Sequence, residues 1–188
     1  MAKKSKITSH PKVKIENVVA SASVDAEFDL DKIAAELPNA EYEPEQFPGL
    51  VLRLTEPKVA ILVFSSGKMV CTGAKEPRII KVAIDKALKQ IRTAGLKVRG
   101  PAKITIQNIV ASSDLQAELN LDKIAFSLEN AEFEPEQFPG LVFRIPDPKV
   151  VFLLFRSGKI VCTGAKKPAD VERGVLRLVQ ELRKHKVA

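Results

Sequence analysis

The chain of 188 residues is 45% hydrophobic and 28% charged, enough apolar material to bury a real core and ordinary for one large or two small globular domains. Lys and Arg outnumber Asp and Glu by 30 to 23 and the isoelectric point is near 9.4, which permits an anionic partner without identifying one. Two histidines, His10 and His185, lie near the chain ends, and two cysteines, Cys71 and Cys162, have no metal-ligand spacing, so triad, acid/base and metal chemistry have little to draw on. The expectation is a protein that is not an enzyme, uses no cofactor and keeps two reduced, buried thiols. No stretch has the unbroken apolar length of a membrane span, and the basic start MAKKSKITSHPK lacks the apolar core of a secretory signal. A soluble protein of the cytoplasm is expected, or of the nucleus in a eukaryote.

In chain order, residues 1–11 read as a basic extension that is expected to be disordered. The β-branched run Val13 to Val24 predicts a strand, and Asp29 can cap a short helix with Leu30, Ile33 and Leu37 on one face. Strands over Leu50 to Leu54, Val59 to Phe64 and Lys68 to Gly73, punctuated at Pro57-Lys58 and Ser66-Gly67, predict an antiparallel meander. A longer helix starts at Pro77, carries Ile80, Ile84, Ala87 and Ile91 at helical spacing, and stops near Gly95.

The pattern then starts again. Shifted by 91 positions, Ile15 to Pro77 falls on Ile106 to Pro168 without a gap, and 41 of those 63 pairs are identical. Such identity marks a duplicated unit, which predicts two structures related by a pseudo-two-fold axis. The organisation that follows is a repeat over 12–96, a Gly/Pro-punctuated linker over 97–102 and a second repeat over 103–188.

Strand parity leaves one apolar face too many. In Val59 to Phe64 one face holds Val59, Ile61 and Val63, and the other holds Ala60, Leu62 and Phe64. The first strand sets Val18 and Ala20 against Asn17 and Val19, and the last sets Met69 and Cys71 against Val70 and Thr72. Two helices per repeat can cover one face only, whereas an antiparallel sheet ordinarily turns a polar face to water. A closed sandwich or barrel with both faces internal fits this alternation as well as an open sheet with an external partner.

The motifs that recur are EPEQFPGL, at 43–50 and 134–141, and SGK-x-VCTGAK, at 66–75 and 157–166. They resemble the TATA-box-binding protein family, over nearly the whole chain. The resemblance implies an α+β fold in which two pseudo-symmetric repeats form one curved, saddle-like, ten-stranded antiparallel sheet with four helices on its convex face. It implies a general transcription initiation factor that binds the minor groove of the TATA box, with promoter DNA, transcription factor B and the RNA polymerase machinery as partners. The resemblance also implies kinking of DNA by inserted apolar side chains, a known behaviour of this family.

By motif position the resemblance makes Phe47, Phe64, Phe138 and Phe155 the intercalating wedges, with Pro48 and Pro139 bracing the loop pair. Asn17, Thr72, Asn108 and Thr163 become the polar contacts at the centre of the site, suited to adenine N3 and thymine O2. Val19, Leu62, Val70, Val110, Leu153 and Val161 become the apolar floor. Arg53, Ser66, Lys68, Lys75, Arg144, Ser157, Lys159 and Lys166 become the phosphate contacts.

Glu41, Glu43 and Glu45, with Glu132, Glu134 and Glu136 in the second copy, form acidic loops that would repel phosphate and suit a protein partner better. In the family the second loop, here Glu134 to Gln137, engages transcription factor B, which assigns Glu134 and Glu136 to that contact. Compact length and near-identical halves resemble the archaeal members, although the chain ends in RKHKVA where many of those carry an acidic tail. A binding module of the same architecture without TATA specificity is the rival reading, and bending of an A·T-rich duplex separates the two.

Overall fold

The computed structural model describes residues 6–186. Its elements repeat as the sequence does. The first set is β1 (Lys14–Asp25), α1 (Leu30–Glu36), β2 (Ala40–Glu41), β3 (Leu50–Thr55), β4 (Lys58–Val63), β5 (Lys68–Ala74) and α2 (Pro77–Thr93). The second is β6 (Arg99–Asp114), α3 (Leu121–Ser127), β7 (Ala131–Glu132), β8 (Leu141–Pro146), β9 (Lys149–Leu154), β10 (Lys159–Ala165) and α4 (Pro168–Lys184).

Local chemistry accounts for the boundaries. The Asp29 carboxylate accepts the Lys32 N–H at the start of α1, and Asn120 does the same for Lys123 at α3, so the Asp-to-Asn difference between the copies preserves the cap. Pro77 and Pro168 occupy the first turns of the long helices, where a missing N–H costs nothing. Gly95 follows the last residues of α2 with φ of 89°, a conformation open to glycine.

The strand order is β2-β3-β4-β5-β1-β6-β10-β9-β8-β7, ending at β2 and at β7 rather than closing on itself. The closed barrel or sandwich is thereby set aside. The two-residue strands β2 and β7 are too short to show any alternation, which is why only the resemblance implied a fifth strand per repeat.

Contacts divide the chain into two compact units, one from Asn17 to Gln107 and one made of the described residues up to Glu16 with those from Asn108 onward. The boundary therefore differs from the sequence repeat, because β1 and β6 both cross it and each unit holds a stretch of both. Of the extension expected over 1–11, residues 1–5 lie outside the described residues. Ile7 is buried, the Thr8 N–H donates to the Leu115 carbonyl, and Arg183 donates to the Ile7 carbonyl, so this part is tied to the fold. The linker expected over 97–102 is mostly strand, since β6 begins at Arg99 alongside β1.

Each unit places its core between the sheet and its long helix. Ile80, Ile84, Leu88 and Ile91 of α2 pack toward β3, β4 and β5, where Leu52, Ile61, Met69 and Cys71 are fully buried. Val171, Val175, Leu178 and Leu182 of α4 pack toward β9 and β10 over Phe152 and Ile160. Each such side chain contributes about 1.5–3 kcal/mol. Both thiols are free and buried, and burial pushes Cys71 up to about 11 and Cys162 up to about 12.

Candidate nucleic-acid interface

The helices use one set of strand residues and leave the other set to the outside. In β4, Val59, Ile61 and Val63 are buried while Ala60 and Leu62 alternate with them at intermediate exposure; β1 and β5 follow the same rule. Register lines the outward set into rows across the strands. Val51, Leu62, Val70 and Ser21 stand side by side, as do Arg53, Ala60 and Thr72. In the second unit the rows are Val142, Leu153, Val161 and Ser112, and Arg144, Val151 and Thr163. Val19 and Val110 share this half-buried state.

A bulge fixes the polar centre of each unit. Pairing of β1 with β5 passes from Ala20↔Cys71 to Val18↔Ala74, so Thr72 and Gly73 oppose one residue, Val19. Gly73 takes φ of 102° and turns its N–H onto Asn17 Oδ1 at 2.7 Å. Asn17 Nδ2 donates to Thr72 Oγ1 at 3.1 Å. With the oxygen held by a backbone donor, the amide nitrogen keeps a second hydrogen for an outside acceptor. Asn108, Thr163 and Gly164 repeat this at 2.7 and 3.1 Å, around the bulge between β6 and β10.

The phenylalanines come together in pairs. Phe47 and Phe64 meet edge to face with ring centres 5.9 Å apart, and Phe138 and Phe155 meet in the same way at 6.0 Å. Phe47 and Phe138 are 38% and 39% exposed, high values for large apolar rings and hence available to a partner. Each loop ring is held by its own turn, in which the Phe47 N–H donates to the Glu43 carbonyl and the Phe138 N–H to that of Glu134. A Cβ added at Gly49 would lie 2.6 Å from the Phe47 ring and 3.0 Å from that of Phe64, with matching distances at Gly140. The glycine of EQFPG is therefore what lets the two rings meet.

Beside Phe64 lies a groove of ≈ 700 Å³ bordered by Pro48, Ser66, Lys68 and Val70; beside Phe155 lies one of ≈ 630 Å³ bordered by Ser157, Lys159 and Val161. Lys68, Lys75, Lys159, Lys166, Arg53, Arg144, Pro139, Glu134 and Glu136 are exposed. Arg53 also stands 3.9 Å from Glu41, an exposed pair that contributes little.

Sequence reasoning missed several residues of this face. Val51 and Val142 carry the parity of Arg53 and Arg144 and could have been read from it. Ser21 and Ser112 end the apolar rows. Off this face, Arg156, next to Phe155, reaches Asp122 of α3 at 3.4 Å and lies over the Phe133 ring at 5.9 Å, where the first repeat has Ser65 and Tyr42. Among the described residues no cluster of His, Cys, Asp and Glu could hold a metal, and no helix is long and apolar enough to cross a membrane.

Comparison with known proteins meets this geometry from outside. The model of the family Transcription factor TFIID (or TATA-binding protein, TBP) matches twice, over residues 12–94 and 103–185. A TATA-box-binding protein of Thermoplasma acidophilum is 51% identical over 180 residues, covering 95% of this chain and 98% of its own; one from Picrophilus torridus is 53% identical over 175 residues, covering 92% and 95%. Among solved structures, Methanococcus jannaschii TBP superposes with a TM-score of 0.85 at 51% identity, covering 93% of this chain and 99% of that one. The expected fold class, α+β with two repeats, ten antiparallel strands and four helices among the described residues, is the one found. With both repeats matched and relatives half identical along nearly their full length, the chain belongs to the TATA-box-binding protein family of transcription factors.

Proposed function

We propose that this protein is a general transcription initiation factor that lays the uncovered face of its sheet on the minor groove of a TATA box. The observation that carries the reading is the pairing, in each unit, of an unburied apolar floor with one oriented amide donor. A·T pairs offer only acceptors in the minor groove, whereas guanine adds an N2 donor. Asn17, Thr72, Asn108 and Thr163 can donate to those acceptors. Val19, Leu62, Val70 and their counterparts Val110, Leu153 and Val161 can satisfy no donor, so each guanine beneath them costs roughly 1–3 kcal/mol. The face selects by what it leaves unpaired.

Phe47 with Phe64, braced by Pro48, and Phe138 with Phe155, braced by Pro139, act as wedges at base steps near the ends of the site. Burying one ring returns about 1.5–3 kcal/mol, comparable with a few kcal/mol of unstacking per step, so deformable sequences are favoured as well. Arg53, Ser66, Lys68 and Lys75, with Arg144, Ser157, Lys159 and Lys166, hold phosphates and set position rather than sequence.

The loop bearing Glu134 and Glu136 also carries Phe138, so one turn presents a wedge and an acidic surface. Transcription factor B docks there, fixes the direction of a protein that alone orients poorly on a symmetric A·T site, and brings in RNA polymerase. The protein acts where promoter DNA lies, in an archaeal cell the cytoplasm. A mobility-shift assay with a TATA-containing fragment and its G·C-substituted counterpart tests this: strong retention of the first is expected, and equal retention of both would exclude the reading.

A further inference from the structure

Among the polar positions at which the two repeats differ, one lies beside the serine that ends each outward apolar row. The shift of 91 that aligns the repeats sets Gln107 on Glu16, and both side chains reach the serine that ends an apolar row. Gln107 Nε2 donates to Ser21 Oγ at 2.8 Å, whereas Ser112 Oγ donates to Glu16 Oε1 at 2.7 Å. Ser21 stands beside Val70 and Ser112 beside Val161, each bordering the groove next to its unit's Phe64 or Phe155.

The difference is one of hydrogen-bond sense. A carboxylate only accepts, so the Ser112 hydrogen is committed to Glu16 and the hydroxyl shows lone pairs outward. An amide can donate, so Ser21 accepts from Gln107 and keeps its hydrogen for an outside acceptor. One row ends in a hydroxyl that can still donate, the other in a hydroxyl that can only accept. Lys14 Nζ, 3.6 Å from the same Glu16 oxygen, offsets the charge that the carboxylate would set against phosphate.

We infer that Glu16 is a specificity-determining residue: through Ser112 it makes one half of the DNA site tolerant of a G·C pair, while the half read by Ser21 favours A·T. The inference rests on the minor-groove reading above. An outward lone pair meets the guanine N2 donor, and an outward hydrogen meets adenine N3 or thymine O2. A symmetric all-A·T site then gains no direction from this pair of serines, but a single off-centre G·C pair turns the protein so that its guanine lies under Ser112.

The test uses the full chain with a DNA-cleaving probe on Glu45→Cys, an exposed loop position in the first repeat; the native thiols are buried. Compared with an all-A·T duplex, one G·C pair in one half should shift cutting about fivefold toward the other end, the discrimination expected of one hydrogen bond. Glu16→Gln, nearly isosteric, should abolish the shift, and exchanging both residues as Glu16→Gln with Gln107→Glu should reverse it. An unchanged shift in Glu16→Gln, or no reversal in the exchange, overturns the inference. Failure of the minor-groove reading shows separately, as equal affinity for all-A·T and fully G·C-substituted duplexes.

Discussion

Asn17 Oδ1 accepts the Gly73 N–H at 2.7 Å, and this bond decides which way the Asn17 amide faces. The amide orientation is thus tied to a bulge in the backbone rather than to the ligand. Asp at this position keeps the acceptor for Gly73 but loses the donor that reaches outward and adds a charge that DNA repels. Asn17→Asp together with Asn108→Asp should melt within a few degrees of the parent and bind an A·T-rich duplex at least tenfold more weakly, about 1.4 kcal/mol. Fluorescence anisotropy read beside a thermal melt checks both halves of that statement.

Phe64 and Phe155 lie on the face that the helices leave uncovered, whereas Phe152 is fully buried under α4. Truncating Phe152 to Ala should cost about 3–5 kcal/mol of stability. Phe64 and Phe155 are only partly buried, so Phe64→Ala and Phe155→Ala should cost less than Phe152→Ala, including about 0.5–1.5 kcal/mol for the edge-to-face contact, and should fold normally while losing DNA bending. Denaturant unfolding of the three variants decides the matter, since equal losses would put all three rings in the core.

Positioning and readout should separate under salt. Lys68→Ala removes a proposed phosphate partner, so it should weaken binding to every duplex alike and reduce the slope of log affinity against log salt by about one. Thr72→Val keeps the shape but removes the oxygen that accepts from Asn17 Nδ2 at 3.1 Å, so it should change the ranking of sequences instead. A shared, sequence-independent effect of both would contradict the division.

The buried thiols predict an alkaline limit. Folding raises Cys71 from its ordinary value of 9.0 to about 11 and Cys162 to about 12, through desolvation. The unfolded chain therefore ionises first. Stability from these groups is intact below pH 9 and is lost as pH rises toward 11 and 12. Melting temperatures between pH 7 and 11 should fall more steeply above 9 in the parent than in Cys71→Ala with Cys162→Ala, after allowing for the lower starting stability of the variant.

The sequence was most readable where a regular period meets a buried face. Alternation in Val59 to Phe64 assigned Ile61 inward and Leu62 outward correctly, and the spacing of Ile80, Ile84 and Ile91 found the buried stripe of α2. Ala40 and Glu41 gave no such signal, because two residues have no period. Parity alone could not choose between a closed and an open sheet, since both make two apolar faces; strand order was needed. Glu16 escaped for a different reason. Parity counts it with Val18 and Ala20, and only the pairing of β1 with β6 brings its carboxylate to Ser112. Gly49 was visible within EQFPG, but its purpose depends on the Phe47 and Phe64 rings meeting beside it, which a linear motif does not display.

On the proposed function, the uncovered face binds and bends A·T-rich DNA by inserting its paired phenylalanines. End-to-end energy transfer across a short TATA duplex labelled at both ends measures this directly. Transfer should rise on adding the parent protein, stay flat with Phe64→Ala and Phe155→Ala combined, and stay flat with the parent on a G·C-substituted duplex. Equal rises in all three cases would contradict it.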